Sequence, residues 1–450
     1  MTVDVQNDTW CAMQGTDCQL VKLFVWRQNA RYRGLNWLSF RRLRSAAGRL
    51  CGRIQIVKFC AGLIVKLTIF AKNALVCILC IFSYMDLEFF HRILSVDSTS
   101  GRETELADLL AVELAGPGGK VETFDVGDGT KNLLVSWGVP RVVFCTHMDT
   151  VPPYIPPTSD DMRFYGRGTC DAKGQIFAMY EACKVLESRG CDGFGLLLLA
   201  GEETGSYGAK AFNSMILSEG ASRISPEAWV IVGEPTDNCM VSAAKGTKSF
   251  DVTFTGKSCH SGYPELGASA IEYFNDFVNA LRSIVFPVDD LLGETTWNIG
   301  LLSSPNPQNI LSDKLTCRVY FRTTFESDQM VQNIMKNMAG PDARLRFGRP
   351  KAQDGSDMVA RKVAPWQEAM SVDARGGDTP TRFEVLEGFQ SKPVAFGSDA
   401  PVLTCFGNRI LCGPGSIHVA HRPDEYIALD DLQTAVQSYV RMYEMIIETQ

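Results

Sequence analysis

Two adjacent carboxylates follow an uninterrupted apolar run near the middle of the chain. The run LLLLA, residues 196–200, is followed by Gly201 and then by Glu202 and Glu203. Its length and apolar side chains predict a buried strand, so both acids would stand at the end of that strand. Side chains alternate between the faces of an extended segment, and neighbouring carboxylates can therefore face different targets. We expect unequal roles for Glu202 and Glu203.

Other predicted strands also end in acids or histidines, the residue types that bind metals or move protons. VVFCT is followed by His147 and Asp149, WVIV by Glu234, and RILC, after a glycine-rich turn, by His421. A separate loop, GRGTCDAKG, contributes Asp171. In an open α/β sheet, ligands bind at the carboxyl ends of the strands, so we expect these side chains to converge.

The converging side chains have the composition of a metal site. Nitrogen and oxygen ligands without a thiolate suit zinc, cobalt or manganese. Five protein ligands exceed what one catalytic zinc takes, about three plus water. Two ions that share one carboxylate would resolve the excess, and such a pair would polarise a carbonyl and produce hydroxide at neutral pH. Each motif alone is also compatible with a surface turn, but their combination at four strand ends favours the metal site.

Helices and strands that could position these residues alternate from Met85 onward. Apolar residues three and four apart predict helices over 86–95, 103–115, 174–189, 206–219 and 428–448. Apolar runs predict strands in NLLVSWG, RVVFCTHMDTV, GLLLLA, AWVIVGEP, KPVAFG and NRILCGPG. Strands that are apolar throughout indicate a mostly parallel sheet covered by helices on both faces. The predicted class is therefore α/β.

A second unit is predicted to be inserted into the first. KSFDVTFTGKS and KLTCRVYFRTT alternate apolar and polar residues, as half-exposed antiparallel strands do. With helices over 268–284 and 327–338, the strand WNIGLLSS and a last strand ARLRFG, the order is βαββαβ. We predict a catalytic domain made of residues 85–244 and 354–450, with an α+β, ferredoxin-like lid at 245–353.

The first 84 residues form an extension of different composition. They hold 12 Lys and Arg against 3 acids, and 6 of the 15 cysteines. Residues 59–84 have the length of a membrane helix, although Lys66 and Lys72 interrupt it at a cost of about 2.5–3.5 kcal/mol each near the centre. We expect the extension to lie upstream of the true start at Met85. A membrane anchor and another kind of extension are the alternatives.

Length and composition limit the class of protein. The 450 residues exceed what one hydrophobic core usually holds, and 45% hydrophobic with 21% charged residues is typical of globular proteins. The net charge of −7 argues against a nucleic-acid partner. The 15 cysteines show no paired framework and several lie in apolar runs, which favours a reducing, cytoplasmic location.

Together, the motifs resemble those of a known family. The similarity is to the dizinc aminoacylase/carboxypeptidase family, and it lies in THMDTVPP (146–153), YGRGTCDAKG (165–174), AGEETGSYGAK (200–210), VGEPT (232–236) and GPGSIHVAHRPDEYI (413–427). That family includes acetylornithine deacetylase, succinyl-diaminopimelate desuccinylase and glutamate carboxypeptidase, and the resemblance is greatest to acetylornithine deacetylase. FGSDAP (396–401) departs mildly from the family's glycine-threonine-acid-alanine turn, and residues 353–382 match no motif.

The resemblance implies metal ligands and catalytic groups. Two zinc ions, with cobalt or manganese as substitutes, would be bound by five residues, with the aspartate as the bridge: His147, Asp171, Glu203, Glu234 and His421. Asp149 would hold the imidazole of His147 and tune its basicity. Glu202 would be the general base that takes a proton from the water between the ions and passes it to the leaving nitrogen.

The lid carries further roles implied by the resemblance. His260 would reach the site of a neighbouring subunit and stabilise the oxyanion, which implies a homodimer joined through the lid. Asn309 and Arg322 stand at positions that contact the substrate carboxylate, for which a guanidinium is suited. A turn histidine and a solvated arginine on an edge strand are the plainer interpretations of His260 and Arg322.

The implied function is removal of an acyl group from an N-acyl amino acid, as in acetylornithine deacetylase, and thus a place in arginine biosynthesis. The alternatives are a dipeptidase or carboxypeptidase of the same family, a desuccinylase, and a metal-dependent binding protein without catalysis. Glu202 favours an enzyme over the last of these, because a chain that had lost catalysis would often lose its general base. Membrane contact is expected only if residues 59–84 are a real anchor.

Overall fold

The computed structural model describes residues 85–116, 118–127, 129–219, 223–345, 347 and 363–449. The N-terminal extension, with the predicted membrane helix at 59–84, lies outside these residues. Met85–Gln450 form one compact unit. Within the described part, no helix is both long enough and apolar enough to cross a membrane.

Helices and strands alternate through most of this unit. The helices are α1 (Leu87–Leu94), α2 (Thr104–Glu113), α3 (Lys173–Ser188), α4 (Tyr207–Glu219), α5 (Ala270–Arg282), α6 (Asp328–Met338), α7 (Pro365–Glu368) and α8 (Leu429–Thr449). The strands are β1 (Lys120–Gly127), β2 (Thr130–Trp137), β3 (Val142–His147), β4 (Thr158–Ser159), β5 (Arg163–Tyr165), β6 (Phe194–Leu199), β7 (Trp229–Val232), β8 (Met240–Ala244), β9 (Gly246–Thr255), β10 (Thr296–Ser303), β11 (Lys314–Thr323), β12 (Met370–Gly376), β13 (Thr381–Arg382), β14 (Ser391–Val394), β15 (Asn408–Leu411) and β16 (Tyr426–Ala428).

A six-stranded sheet in the order β1-β2-β6-β3-β7-β15 forms the centre of the larger domain. The last four strands of that order run parallel, whereas β2 runs antiparallel to both of its neighbours, β6 and the edge strand β1. The predicted α/β class and mostly parallel sheet are confirmed. The strand in NLLVSWG, β2, is the antiparallel member of the sheet, and it forms a hairpin with β1, whose half-exposed sequence was not predicted as a strand.

Both faces of the parallel strands are buried. On β3, Val142 and Phe144 pack in the core formed with α1, α2, α3 and α8, while Val143 and Cys145 pack on the opposite face with α4. Burying a side chain of this size stabilises the fold by about 1.5–3 kcal/mol. The two-sided burial explains why these strands are apolar throughout.

The inserted lid is a four-stranded antiparallel sheet in the order β10-β11-β9-β12. Phe277 of α5 and Met335 of α6 pack in the core on one face. The βαββαβ order is as predicted, but the last strand is β12, and the described residues of 343–348 form no strand. Most of β12 is exposed, with Asp373 and Arg375 among its residues, so its sequence resembles a loop. The lid sheet thus continues past residue 353, where the domain was predicted to end.

Two three-stranded sheets complete the unit. β8 lies between β13 and β14, so KPVAFG belongs to this sheet and not to the central one. β5 lies between β16 and β4. The β16–β5 pair holds the segment that follows His421 against the segment that precedes Asp171.

Candidate metal centre and active site

Four adjacent strands of the central sheet end at one edge, and each leads to a polar side chain. β3 ends at His147, and the turns after β6, β7 and β15 contain Glu203, Glu234 and His421. These strands are parallel neighbours, so their carboxyl ends lie side by side. Asp171 comes to the same edge from the loop before α3.

Asp171 lies between two imidazoles. Its Oδ1 atom is 3.0 Å from Nε2 of His147, and its Oδ2 atom is 3.2 Å from Nε2 of His421. The same Nε2 atom of His421 is 2.8 Å from Oε1 of Glu203. One ligand atom from each of His147, Asp171 and Glu203 lies within 4.8 Å of the others. A carboxylate that faces a histidine from each oxygen has a geometry suited to bridging two ions.

Glu234 has a buried carboxylate with one unsatisfied oxygen. The residue is 4% exposed, and its Oε1 atom has no hydrogen-bond partner among the described atoms. Burial, and then the charge of Asp171, raise its pKa well above the ordinary value. A buried carboxylate oxygen without a partner is costly, and a cation would satisfy it. Glu234 therefore fits the role of a metal ligand.

The electrostatics of the cluster favour positive charge. Burial opposes protonation of His147, but hydrogen bonds to Asp149 and Asp171 raise its pKa well above the usual value. Hydrogen bonds to Asp171 and Glu203 raise the pKa of His421 to about 10. Three carboxylates and two imidazoles without a thiolate suit divalent ions of the zinc, cobalt or manganese type. The residues present thus fit the predicted pair of metal ions.

Asp149 links His147 to the turn that carries the two glutamates. Nδ1 of His147 is 2.9 Å from the carbonyl oxygen of Asp149 and 3.3 Å from its Oδ1 atom. The carboxylate accepts the backbone N–H of Glu202 at 3.0 Å and that of Glu203 at 3.1 Å, and the hydroxyl of Ser100 at 2.8 Å. Burial opposes ionisation of Asp149, but the bond from His147 and these other bonds lower its pKa. The ionised group orients the imidazole.

Glu202 stands beside the cluster and is partly exposed. Burial, reinforced by the like charges of Asp399, Glu203 and Asp171 and opposed by His147, raises its pKa well above the ordinary value. A carboxyl group with a raised pKa in this position is suited to accept a proton and release it again.

Glu202 and Glu203 form a turn and do not extend β6, which corrects the expectation of an extended segment. The amide of Gly205 donates to the carbonyl of Glu202 at 3.0 Å within that turn. Strand alternation therefore does not separate the two side chains. Their backbone positions are set instead by the two amide bonds to Asp149.

Two of the three predicted lid residues make no hydrogen bond, ion pair or ring contact with the described residues of the cluster. His260 and Asn309 are exposed, and they are near each other because the amide of Ser261 donates to the carbonyl of Asn309 at 2.9 Å. Within the described chain, the hydrogen bonds, the bridge and the ring contact of His260 and Asn309 all join them to other residues of the lid.

Arg322 is partly buried and lies beside the catalytic domain. A Cβ atom placed on Gly397 would be 3.9 Å from its Nη1 atom, so the guanidinium is next to the 396–401 loop. Lys245, which the sequence did not indicate, is close by: burial and the charge of Arg322 lower the pKa of Lys245, against the opposing charge of Glu294. Two cations thus stand at the junction between lid and catalytic domain.

The sequence also gave no indication of a structural role for three further residues: Arg167, Gln175 and Glu425. Arg167 and Glu425 form a buried ion pair at 2.5 Å, and Gln175 is buried between two loops of the site. All three lie in or directly after the motifs that resemble the family. Nothing in those motifs indicates that their side chains are buried and paired, because pairing across 258 positions leaves no local pattern.

Comparison with known proteins agrees with this geometry. Residues 143–445 match the model of a family described as Peptidase family M20/M25/M40. A probable carboxypeptidase from Aspergillus terreus is 32% identical over 401 residues, which cover 79% of this chain and 85% of that protein. A tripeptidase structure from Staphylococcus aureus has a TM-score of 0.63 at 20% identity, covering 80% of this chain and 97% of its own. An M20 family metallo-carboxypeptidase from Sulfolobus solfataricus has a TM-score of 0.60 at 15% identity, with 80% and 98% covered.

Proposed function

This chain belongs to peptidase family M20/M25/M40 and is a metallohydrolase; on that premise we propose that it uses two zinc ions to cleave the amide bond before a C-terminal amino acid. The proposal rests on the position of Asp171, whose two carboxylate oxygens contact the imidazole of His147 and that of His421, respectively. His147, Asp171 and Glu234 would hold one ion, and Asp171, Glu203 and His421 the other. Cobalt or manganese would suit the same ligands.

The division of labour follows from the contacts of these residues. Two bound ions supply Lewis-acid polarisation of the substrate carbonyl and lower the pKa of water. Glu202, with its raised pKa, accepts a proton from the attacking water and delivers it to the leaving nitrogen. Asp149 keeps Glu202 in reach by binding its amide, and orients His147 at the same time.

The substrate is proposed to carry a free carboxylate next to the scissile bond. Arg322 supports this, because it lies beside the 396–401 loop and a guanidinium binds a carboxylate through two parallel hydrogen bonds. Lys245 adds a second positive charge nearby. Relatives described as probable carboxypeptidases favour a peptide as the substrate.

An N-acyl amino acid is the second candidate substrate, and N-acetylornithine is its specific form. The motifs GRGTCDAKG and GPGSIHVAHRPDEY support it, since they most resemble acetylornithine deacetylase. The chemistry is the same for both candidates: an amide is hydrolysed and an amino acid with a free carboxylate is released. A deacetylase would place the chain in arginine biosynthesis.

The proposal includes a homodimer formed through the lid, with His260 stabilising the oxyanion in the partner's site. β10 lies at the edge of the lid sheet, and Leu301 and Leu302 on it are 70% and 56% exposed. An open strand edge with apolar side chains is a surface that another chain can cover. The exposed position of His260 is compatible with a role outside its own subunit. Light scattering would measure the predicted dimer.

A cytoplasmic location is also proposed. It is supported by the cysteines at positions 145 to 412, all of which are free thiols in the described chain. Free thiols are typical of reducing compartments.

A matched set of substrates tests the proposed function. We expect the zinc-loaded protein to hydrolyse dipeptides or N-acyl amino acids with a free carboxylate about 10- to 100-fold faster than the same compounds as carboxamides, because a hydrogen bond to a charged group contributes about 1.5–3 kcal/mol. Arg322→Met should remove this difference. Arg318→Met is the control, because Arg318 lies on the same strand but pairs with Asp251. Equal rates for acids and carboxamides, or no hydrolysis of either, would refute the proposal.

A further inference from the structure

A buried ion pair joins the two loops that carry Asp171 and His421. Nη1 of Arg167 lies 2.5 Å from Oε2 of Glu425, and the two residues are 2% and 0% exposed. Arg167 stands four positions before Asp171, and Glu425 stands four positions after His421. The pair therefore connects the flanks of two side chains that lie 3.2 Å apart.

Glu425 also fixes the backbone of Asp171 directly. Its second oxygen, Oε1, accepts the amide N–H of Cys170 at 3.0 Å and that of Asp171 at 3.2 Å. One carboxylate thus binds the guanidinium with one oxygen and two consecutive amides with the other. Displacing Glu425 would release the backbone at the residue from which the Asp171 side chain extends.

Arg167 acts in the same way on the His421 side. Its Nη1 atom donates to the carbonyl of Arg422, the residue after His421, at 3.3 Å. His421 has a φ of +63°, in the left-handed region that costs a non-glycine residue on the order of 1–3 kcal/mol. A backbone in that conformation has to be held by its surroundings, and the Arg167 contact is adjacent to it.

A third side chain ties the same two loops together. Nε2 of Gln175 donates to the carbonyl of Cys170 at 3.1 Å and to that of Pro414 at 2.8 Å. The two loops are so close there that a Cβ atom placed on Gly415 would lie 2.6 Å from Sγ of Cys170. The Asp171 loop is therefore held by buried polar contacts from Glu425 and from Gln175.

We propose that Arg167 and Glu425 are a positioning pair, which sets the separation of Asp171 and His421 and thereby the affinity for the metal ion that these two residues share. The inference rests on the proposed function, because it takes Asp171 and His421 as ligands. Metal bonds tolerate only about 0.2 Å of error in ligand position. Partners that orient ligands typically change metal affinity by about 10- to 100-fold when they are removed. A contribution to fold stability alone would explain the pair less well. Apolar residues of the same volume often stabilise a fold as much as a buried ion pair does, or more.

Zinc binding to the full chain after metal removal tests the proposal. We expect wild type to bind two zinc ions per chain in a competition titration with a chromophoric chelator. Glu425→Gln should weaken the affinity for the ion held by Asp171 and His421 by about 10- to 100-fold, and the affinity for the other ion by less, because that ion keeps His147 and Glu234. Arg167→Lys, which keeps a cation for Glu425, should weaken the same affinity less than Glu425→Gln does.

Asp328→Asn is the matched control. Asp328 is partly buried and forms an ion pair at 2.7 Å with the buried Lys248, in the lid and outside the metal cluster. We expect this variant to lose stability while both zinc affinities stay at the wild-type values. If Glu425 only stabilised the fold, Glu425→Gln would lose stability with both zinc affinities unchanged, as in the control. Alternatively, it would weaken both zinc affinities equally.

The outcomes distinguish failure of the positioning pair from failure of the proposed function. Two wild-type affinities in Glu425→Gln, or an equal loss of both, overturn the positioning pair and leave the proposed function intact. If Glu425→Gln does not fold, Arg167→Lys decides, and unchanged zinc binding in that variant overturns the pair. If wild type itself binds no zinc, the proposed function fails.

Discussion

The carboxylate of Asp149 accepts the backbone N–H of Glu202 at 3.0 Å. The same carboxylate lies 3.3 Å from Nδ1 of His147, so one buried group touches both the end of β3 and the turn after β6. The backbone of the candidate general base, Glu202, is thus linked through the Asp149 carboxylate to the imidazole of the candidate metal ligand His147. A change at Asp149 should therefore affect metal binding and proton transfer together.

Replacing Asp149 with asparagine tests this link. The amide presents only one accepting oxygen, so one of the two bonds from the amides of Glu202 and Glu203 is lost. We expect zinc affinity and kcat each to fall by about 10- to 100-fold. Asp160→Asn is the control, because Asp160 also accepts two backbone amides, from Met162 and Arg163, but at an exposed turn. Wild-type kcat in Asp149→Asn would show that the link has no catalytic role.

Replacing Glu202 with glutamine removes the proposed general base without changing the shape of the side chain. We expect kcat to fall by at least two to three orders of magnitude, the scale of about 10²- to 10⁴-fold for general acid–base catalysis. Metal content should stay near the wild-type value, because Glu202 is not a proposed ligand. Elemental analysis and kinetics of the same preparation measure both, with exposed Glu272→Gln as the control. Substantial activity in Glu202→Gln would refute its assigned role.

Replacing the neighbouring Glu203 with alanine should lower the metal content, which Glu202→Gln should leave unchanged. Glu203 contacts His421 at 2.8 Å and is a proposed ligand, so its loss should reduce the metal content from about two ions per chain to about one. Activity should fall with it and return in part when zinc is added in excess. A variant with two tightly bound ions would exclude Glu203 as a ligand.

The sequence indicated the location of the site because parallel strands impose a simple rule. His147, Glu203, Glu234 and His421 follow four strands that proved to be parallel neighbours, so their ends meet at one edge. Apolar runs buried on both faces identified those strands without reference to any partner. The ligand roles of these residues remain predictions, as does the role of Glu202.

The sequence failed where structure depends on distant partners. β12 is a strand only because it pairs with β9, and its mostly exposed residues resemble a loop. Arg167 and Glu425 are distant in sequence, and two charged residues in polar motifs are usually exposed. The turn at Glu202 and Glu203 was mistaken for an extended segment, because its geometry is set by Asp149 and not by local propensity.

The buried carboxyl group of Asp399 should make the free energy of unfolding depend on pH. It is 1% exposed, and burial raises its pKa from 3.8 to about 7. Between these values the folded chain holds a proton that the unfolded chain has released, so stability falls as the pH rises from about 4 to about 7, by at most about 4 kcal/mol. Asp399→Asn should flatten that slope in urea unfolding measured across this range. Exposed Asp342→Asn should keep it, and an unchanged slope in Asp399→Asn would contradict the prediction.

Activity measured against zinc stoichiometry tests the two-metal centre around Asp171 most directly. The protein is stripped of metal with a chelator, and zinc is returned in steps while hydrolysis of a dipeptide or N-acyl amino acid is followed. Two ions sharing Asp171 predict a stripped protein with less than about 1% of the original rate, since metal catalysis contributes several kcal/mol. They also predict that activity is restored to its maximum near two zinc ions per chain. Full activity in the metal-free protein would contradict the assignment of His147, Asp171, Glu203, Glu234 and His421 as a catalytic metal centre.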